Sequence, residues 1–111
     1  MDENQLSQII VDAAIETHRT LGGPGLLESV YREVLAFEIE TRGVSVEQEK
    51  LVPVKYKSHE LKAPLRLDLL AGKLVIVECK ATMIYNPIFE SQTLTYLRLT
   101  GLKLGLVINF G

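Results

Sequence analysis

The sequence predicts an α/β protein: a central mixed β-sheet flanked by helices, with elements in the order α-α-β-β-β-α-β. Three observations predict it. Apolar residues keep helical spacing as far as about Thr41, then shift toward alternate spacing from Val44. The run Leu74-Val75-Ile76-Val77-Glu78-Cys79 is strongly β-prone and should lie centrally in a sheet. A last apolar run, Leu102 to Phe110, follows one further helix.

Each element has its own signal. Residues 4–21 read as an amphipathic helix, with Leu6, Ile9, Ile10, Ala13, Ala14 and Leu21 on the helical period. Gly22-Gly23-Pro24-Gly25 breaks it. A second helix is expected from about Leu26 to Thr41, with Leu27, Val30, Tyr31, Val34, Leu35 and Ile39 as its apolar stripe and Gly43 as its stop. Glu38 interrupts that stripe. Val44 to Lys57 reads as an extended strand, interrupted near Pro53. Leu65, Leu67 and Leu69 alternate with Arg66, Asp68 and Leu70 as a second strand, and Ala71-Gly72-Lys73 is the expected turn into the β-prone run. Asn86-Pro87 starts a helix, with Asn as cap and Pro at the first helical position. It should run to about Thr100, with Gly101 as its stop, before a final buried strand from Leu102 to Phe110.

Composition narrows the class. The 111 residues suit one domain, spanning residues 1–111, with no linker, repeat or low-complexity segment. Hydrophobic residues make up 47% and charged residues 23%, an ordinary globular balance. One cysteine, Cys79, excludes an internal disulfide framework and a cysteine-based zinc cluster, and it suits a reducing cytosol. The polar, acidic opening is unlike a signal peptide, and no apolar run reaches the roughly 20 residues of a membrane helix. A soluble, cytoplasmic protein is expected, with no membrane partner. The net charge of −2 is unevenly spread. Residues 1–49 hold ten acids and three bases, and residues 50–111 hold four acids and nine bases. A polyanion should therefore approach the C-terminal half.

The chemistry centres on Glu78 and Lys80. Side chains two apart on a strand share a face, so these two point together and Cys79 points away. Alone, such a pair is an ordinary strand-end ion pair. Asp68 lies on the preceding strand, and a short turn pairs the two as a hairpin. If the turn is Ala71-Gly72-Lys73, residue 68 lies opposite residue 76 and Asp68 shares a face with Glu78 and Lys80. With a two-residue turn Asp68 faces away. A shared site needs an odd-numbered loop or a compensating bulge. If the three converge, the carboxylates offer hard oxygen ligands to Mg²⁺ or Mn²⁺, and Lys80 can orient an attacking water or stabilise growing negative charge. Glu28 lies at the edge of the second helix's stripe, where a carboxylate can lean over strand ends. Gln92 and Tyr96, four apart, share a face of the third helix.

These residues also occur in a pattern. Gly25-Leu-Leu-Glu28-Ser-Val-Tyr31, Arg66-Leu-Asp68, Val77-Glu78-Cys79-Lys80, Gln92-Thr-Leu-Thr-Tyr96 and Gly105-Leu-Val-Ile-Asn109-Phe110 follow in order. From about Ile9 to Gly111 the chain resembles the GxxExxY protein family, placed in the PD-(D/E)xK superfamily and similar to RecB-like nucleases. The resemblance implies a restriction-endonuclease-like domain. It implies Asp68 and Glu78 as metal ligands, with Glu28 meeting the metal or a water on it, and Lys80 as the catalytic lysine. Gln92 and Tyr96 would position substrate or buttress the site, and Arg66 and Tyr31, within the same motifs, join that positioning set. Leu67 stands where the superfamily's name has proline, and a few residues are expected beyond Gly111.

The expected function is that of a Mg²⁺- or Mn²⁺-dependent nuclease acting on nucleic acid, DNA in the first instance. A homodimer is expected, since one small chain offers little surface to grip a duplex. The alternative is a non-catalytic domain that keeps the fold and binds nucleic acid or a protein. Other chemistries lack support. His18 and His59 have no partners at zinc spacing, and His18 reads as a helix-surface residue. The glycines at 22, 23 and 25 precede no Lys-Ser/Thr, so they form no phosphate loop.

Overall fold

The computed structural model describes residues 1–111. Helix α1 spans Glu3–Leu21 and α2 spans Glu28–Thr41. Strands β1 (Val46–Val52), β2 (Lys55–Tyr56), β3 (His59–Glu60), β4 (Leu65–Ala71) and β5 (Val75–Lys80) follow, then α3 (Ile88–Thr100) and β6 (Leu104–Asn109). The main sheet runs β1-β4-β5-β6. Its first two pairings are antiparallel and β5–β6 is parallel, so the sheet is mixed and β5 is interior.

Local chemistry explains most boundaries. Asp2 caps α1 by accepting from the Gln5 N–H, while the Gln5 side chain accepts from the Asp2 N–H. At the start of α3, Asn86 Oδ1 accepts from the Ile88 N–H. Glu38, the flaw in the α2 stripe, is a boundary residue whose carboxylate pairs with Arg42 one turn on. The stripe that is buried runs through Tyr31, Leu35, Ala36 and Ile39.

Three expectations need correction. The long strand from Val44 to Lys57 ends at Val52, because Pro53 has no N–H to continue a ladder, and β2 and β3 form a separate small hairpin. The β4–β5 turn is Gly72-Lys73-Leu74, one residue later than expected, with the Leu74 N–H bonded to the Ala71 carbonyl. Gly72 takes a φ of 58° and lies against the Leu6 methyls, where a side chain would crowd. The final strand is an edge strand and half-buried throughout, because only β5 pairs with it.

The two faces of the sheet are covered unequally. Helices α1 and α2 close one face over a cluster of 15 buried residues, including Ile10, Leu35, Ile39, Leu69, Val77 and Cys79. On the α3 side only Leu67, Leu70 and Ile76 are buried together, packed against half-buried Tyr96, Leu97 and Leu102. No helix is long and apolar enough to cross a membrane.

Candidate active site

The hairpin that carries Asp68 and Glu78 stops being a ladder where they meet. Backbone partners run Ala71–Val75, Leu70–Ile76 and Leu69–Val77, and there they end. The next rung would set Asp68 beside Glu78. Side chains link the strands there instead. Glu78 Oε2 accepts from the Asp68 N–H at 2.8 Å, and Asp68 Oδ2 accepts from the Cys79 N–H at 2.8 Å. Each carboxylate thus holds the other strand's backbone with one oxygen and keeps its second oxygen clear of that bond. The three-residue turn has the odd length that the shared site required.

Regular pairing also lapses on the other side of Asp68. Along β1, Gln48 pairs with Leu69 and Lys50 with Leu67, but the Glu49–Asp68 rung is missing. Glu49 has a φ of 50°, a left-handed backbone that non-glycine residues rarely adopt inside a strand. Alternation in β4 slips at the same point. Leu69 packs toward α1 and α2, whereas Leu67, two residues away, joins Leu70 and Ile76 on the α3 side.

The electrostatics follow from this crowding. Glu78 is only 3% exposed. Burial is the main reason its carboxyl is raised to about 7, and the Asp68 and Glu28 charges push the same way. The hydrogen bond from Asp68 and the Lys80 charge oppose them. Cys79, on the reverse face, is held as a thiol by burial and by the same three carboxylates. Tyr96 is raised by burial and by the charges of Glu78 and Asp68, which brings its phenol into their field. The Lys80 ammonium lies over the Phe89 ring, 4.7 Å from its centre.

The other expected residues divide. Glu28 opens α2, exposed to solvent, and its charge reaches Glu78 and Cys79. It does not complete a ligand trio, however: no three Asp, Glu, His or Cys side chains group closely enough to hold an ion. Asp68 and Glu78 meet through each other's backbone, whereas Glu28 acts on Glu78 through its charge. Gln92 is exposed on α3, one turn before Tyr96. Arg66 is exposed and lies 3.5 Å from the Glu49 carboxylate.

Tyr31 does not face a substrate. It is fully buried, its hydroxyl donates to the Gly23 carbonyl at 2.7 Å and accepts from the Leu26 N–H at 3.2 Å, and its ring stacks on Phe110 at 4.7 Å. It fixes the glycine loop that delivers Glu28 and has no surface left for substrate. His18, expected on the helix surface, is half-buried, with its ring 6.2 Å from that of Phe110.

Two residues escaped the sequence reading. Arg32, one turn after Glu28, sits 3.7 Å from Glu49, and its enclosed Nε has no hydrogen-bond partner. Its four-residue spacing from Glu28 was a usable signal. Glu49 offered none, since its left-handed backbone and its place between Arg32 and Arg66 are tertiary facts.

The donor set is two hard carboxylates with a lysine on the same strand. That chemistry suits Mg²⁺ or Mn²⁺ and does not suit a soft, sulfur-seeking ion. A family model described as the PD-(D/E)XK nuclease superfamily matches residues 4–111, and the three helices around a mixed four-stranded sheet agree with it. No curated protein and no solved structure gives a significant match.

Proposed function

The chain belongs to the PD-(D/E)XK nuclease superfamily, and from that premise we propose that it is a divalent-metal-dependent nuclease of the GxxExxY branch, similar to RecB-like enzymes, that hydrolyses DNA. The reciprocal clasp of Asp68 and Glu78 carries this reading. A buried carboxylate held against a half-buried one, with one oxygen each to spare, is costly unless a cation neutralises the pair.

Asp68 and Glu78 would hold Mg²⁺ or Mn²⁺, which when bound supplies charge neutralisation at a phosphate and acidifies water. This chain's residues do the rest. Lys80 orients the attacking water and stabilises the negative charge that grows on the phosphate oxygens as one P–O bond forms and another breaks. The Phe89 ring beneath its ammonium limits where that charge can sit. Glu28, further out, reaches the site through water. Tyr96 buttresses Glu78, and Gln92, Arg66 and Arg32 steady the polymer. The proposal includes a homodimeric, cytoplasmic enzyme, since a 111-residue chain has little surface for a long polyanion and its one cysteine is a buried free thiol.

The test is cleavage of several nucleic acids with Mg²⁺ or Mn²⁺ beside the Asp68→Ala chain. Cutting should require metal and vanish in the variant. Cutting that persists in chelator, or in the variant, removes the reading. The same clasp joins the two strands without help from any ion, which favours one second reading, a domain of the same fold that binds nucleic acid or a protein partner without turnover. It predicts affinity that is indifferent to Asp68→Ala.

A further inference from the structure

Both loops that frame the site end in bare apolar side chains. Among all the large hydrophobic residues, the three most exposed are Met83 at 97%, Ile84 at 84% and Leu27 at 74%. Leu26 and Leu27 directly precede Glu28, and Met83 and Ile84 follow Lys80 within four residues. The two loops also meet: Met83, Pro24, Gly25 and Gly111 line one hollow of about 460 Å³.

The display is built, not slack. Thr82 is clamped to the end of β6, its N–H donating to Asn109 Oδ1 at 3.1 Å and its carbonyl accepting from Asn109 Nδ2 at 3.0 Å. The Phe110 N–H donates to the Lys80 carbonyl at 2.8 Å. The Thr82 hydroxyl and the Ile84 backbone close a local turn that turns Met83 and Ile84 outward. Tyr85 follows, 40% exposed, its ring edge-on to Phe89 at 5.5 Å, and Phe89 is the ring under Lys80. Exposed apolar groups fixed in this way lose free energy to water unless something apolar covers them.

The charges say what covers them. Ala81 to Phe89 and Pro24 to Leu27 contain no acidic or basic side chain, so neither loop brings a cation to a phosphate. Three residues span at most about 11 Å, so Met83 lies within roughly three nucleotides' rise of a phosphodiester at Lys80. In an intact duplex the flat base faces are stacked away, and these loops would meet sugar, phosphate and the narrow base edges of a groove. Unpaired bases, by contrast, offer flat apolar faces that aliphatic and aromatic groups can cover.

Resting on the nuclease reading of the site, we propose that the preferred substrate is unpaired nucleic acid, a single strand or a strand splayed from a duplex, whose bases lie on the Leu26-Leu27 and Met83-Ile84-Tyr85 ridge while the backbone enters between Asp68 and Lys80. The test measures binding apart from cutting. Fluorescence anisotropy of the Asp68→Asn chain in Mg²⁺ compares a labelled single strand with the same sequence fully paired. The single strand should bind at least about tenfold tighter. Adding Met83→Ser and Ile84→Ser should weaken single-strand binding by about tenfold and leave duplex binding within twofold. Both positions are exposed, so circular dichroism should be unchanged.

Equal affinity for the two forms, or a serine pair that changes nothing, overturns the proposal. So does a serine pair that dissociates an oligomer in sedimentation while nucleic-acid affinity stays the same, since the ridge is then a protein contact. Wild-type protein that cuts neither form would sink the nuclease reading, yet the binding comparison would still decide this one.

Discussion

The α1/α2 face and the α3 face of the sheet are built to different standards. On the first, two helices close over 15 buried residues, with four from α1 and four from α2. On the second, Thr93 is the one residue of α3 that is buried, and three buried strand residues suffice for a core. Asp68, Glu78 and Lys80 belong to the end of the sheet where the second face opens, near Tyr96 and Phe89 of α3. The difference teaches where this small chain keeps its stability and where it tolerates unsatisfied charge. The closed face anchors the fold, which lets two carboxylates crowd each other on the open side without unfolding it.

The largest effect should separate function from fold. Asp68→Asn keeps an acceptor for the Cys79 N–H but loses the charge, so cleavage should fall by roughly a thousandfold, about 4 kcal/mol, with the melting temperature little changed. Loss of folding together with activity would show that the open face is structural too. Next, truncation should distinguish the faces themselves. Leu35→Ala empties a fully buried site and should cost about 3 kcal/mol in urea unfolding, whereas Leu97→Ala on half-buried α3 should cost about 1 kcal/mol. Equal losses would mean that α3 carries as much of the fold as α2.

Glu78 gives the third test. Its carboxyl is raised in the fold to about 7 from an ordinary 4.5, so the folded state binds the proton more tightly. Its contribution to stability is therefore greatest below pH 4.5 and is lost as pH rises toward 7 and beyond. In chelator, Glu78→Gln should remove that loss and stabilise the protein at pH 8 by on the order of 2 kcal/mol, with little gain at pH 4.5. Mg²⁺ should stabilise the wild type at pH 8 and leave the Gln variant unmoved. A variant less stable than wild type at pH 8 would contradict the strained pair. The smallest effect concerns the closed face. Tyr31→Phe keeps the stacking on Phe110 but drops both hydroxyl bonds, and should cost about 1 kcal/mol while loosening the glycine loop, seen as faster amide exchange at Leu26.

Much of this was legible in residues alone. Helical spacing in α1 and α2, the break near Pro53, Asn86-Pro87 as a helix start and the β-prone run of β5 are local signals, and short-range sterics and capping decide them. The turn was displaced by one residue, because Ala71 and Gly72 are equally plausible turn residues until Gly72 is placed against Leu6. The role of Tyr31 was misjudged because a tyrosine in a motif looks the same whether its hydroxyl faces substrate or a buried carbonyl.

By itself, then, the order of amino acids determined the three helices, the four strands of the main sheet and their sequence along the chain, and it named Asp68, Glu78 and Lys80 as candidates. Only the tertiary structure decided that Glu28 is an exposed helix-start residue whose charge reaches Glu78, that Glu49 lies between Arg32 and Arg66, and that the carboxylates hold the opposing strand's backbone. The physical reason is range. Periodicity and capping act over a few residues, but register, burial and the field at a carboxylate depend on strands ten or more residues apart meeting at one rung.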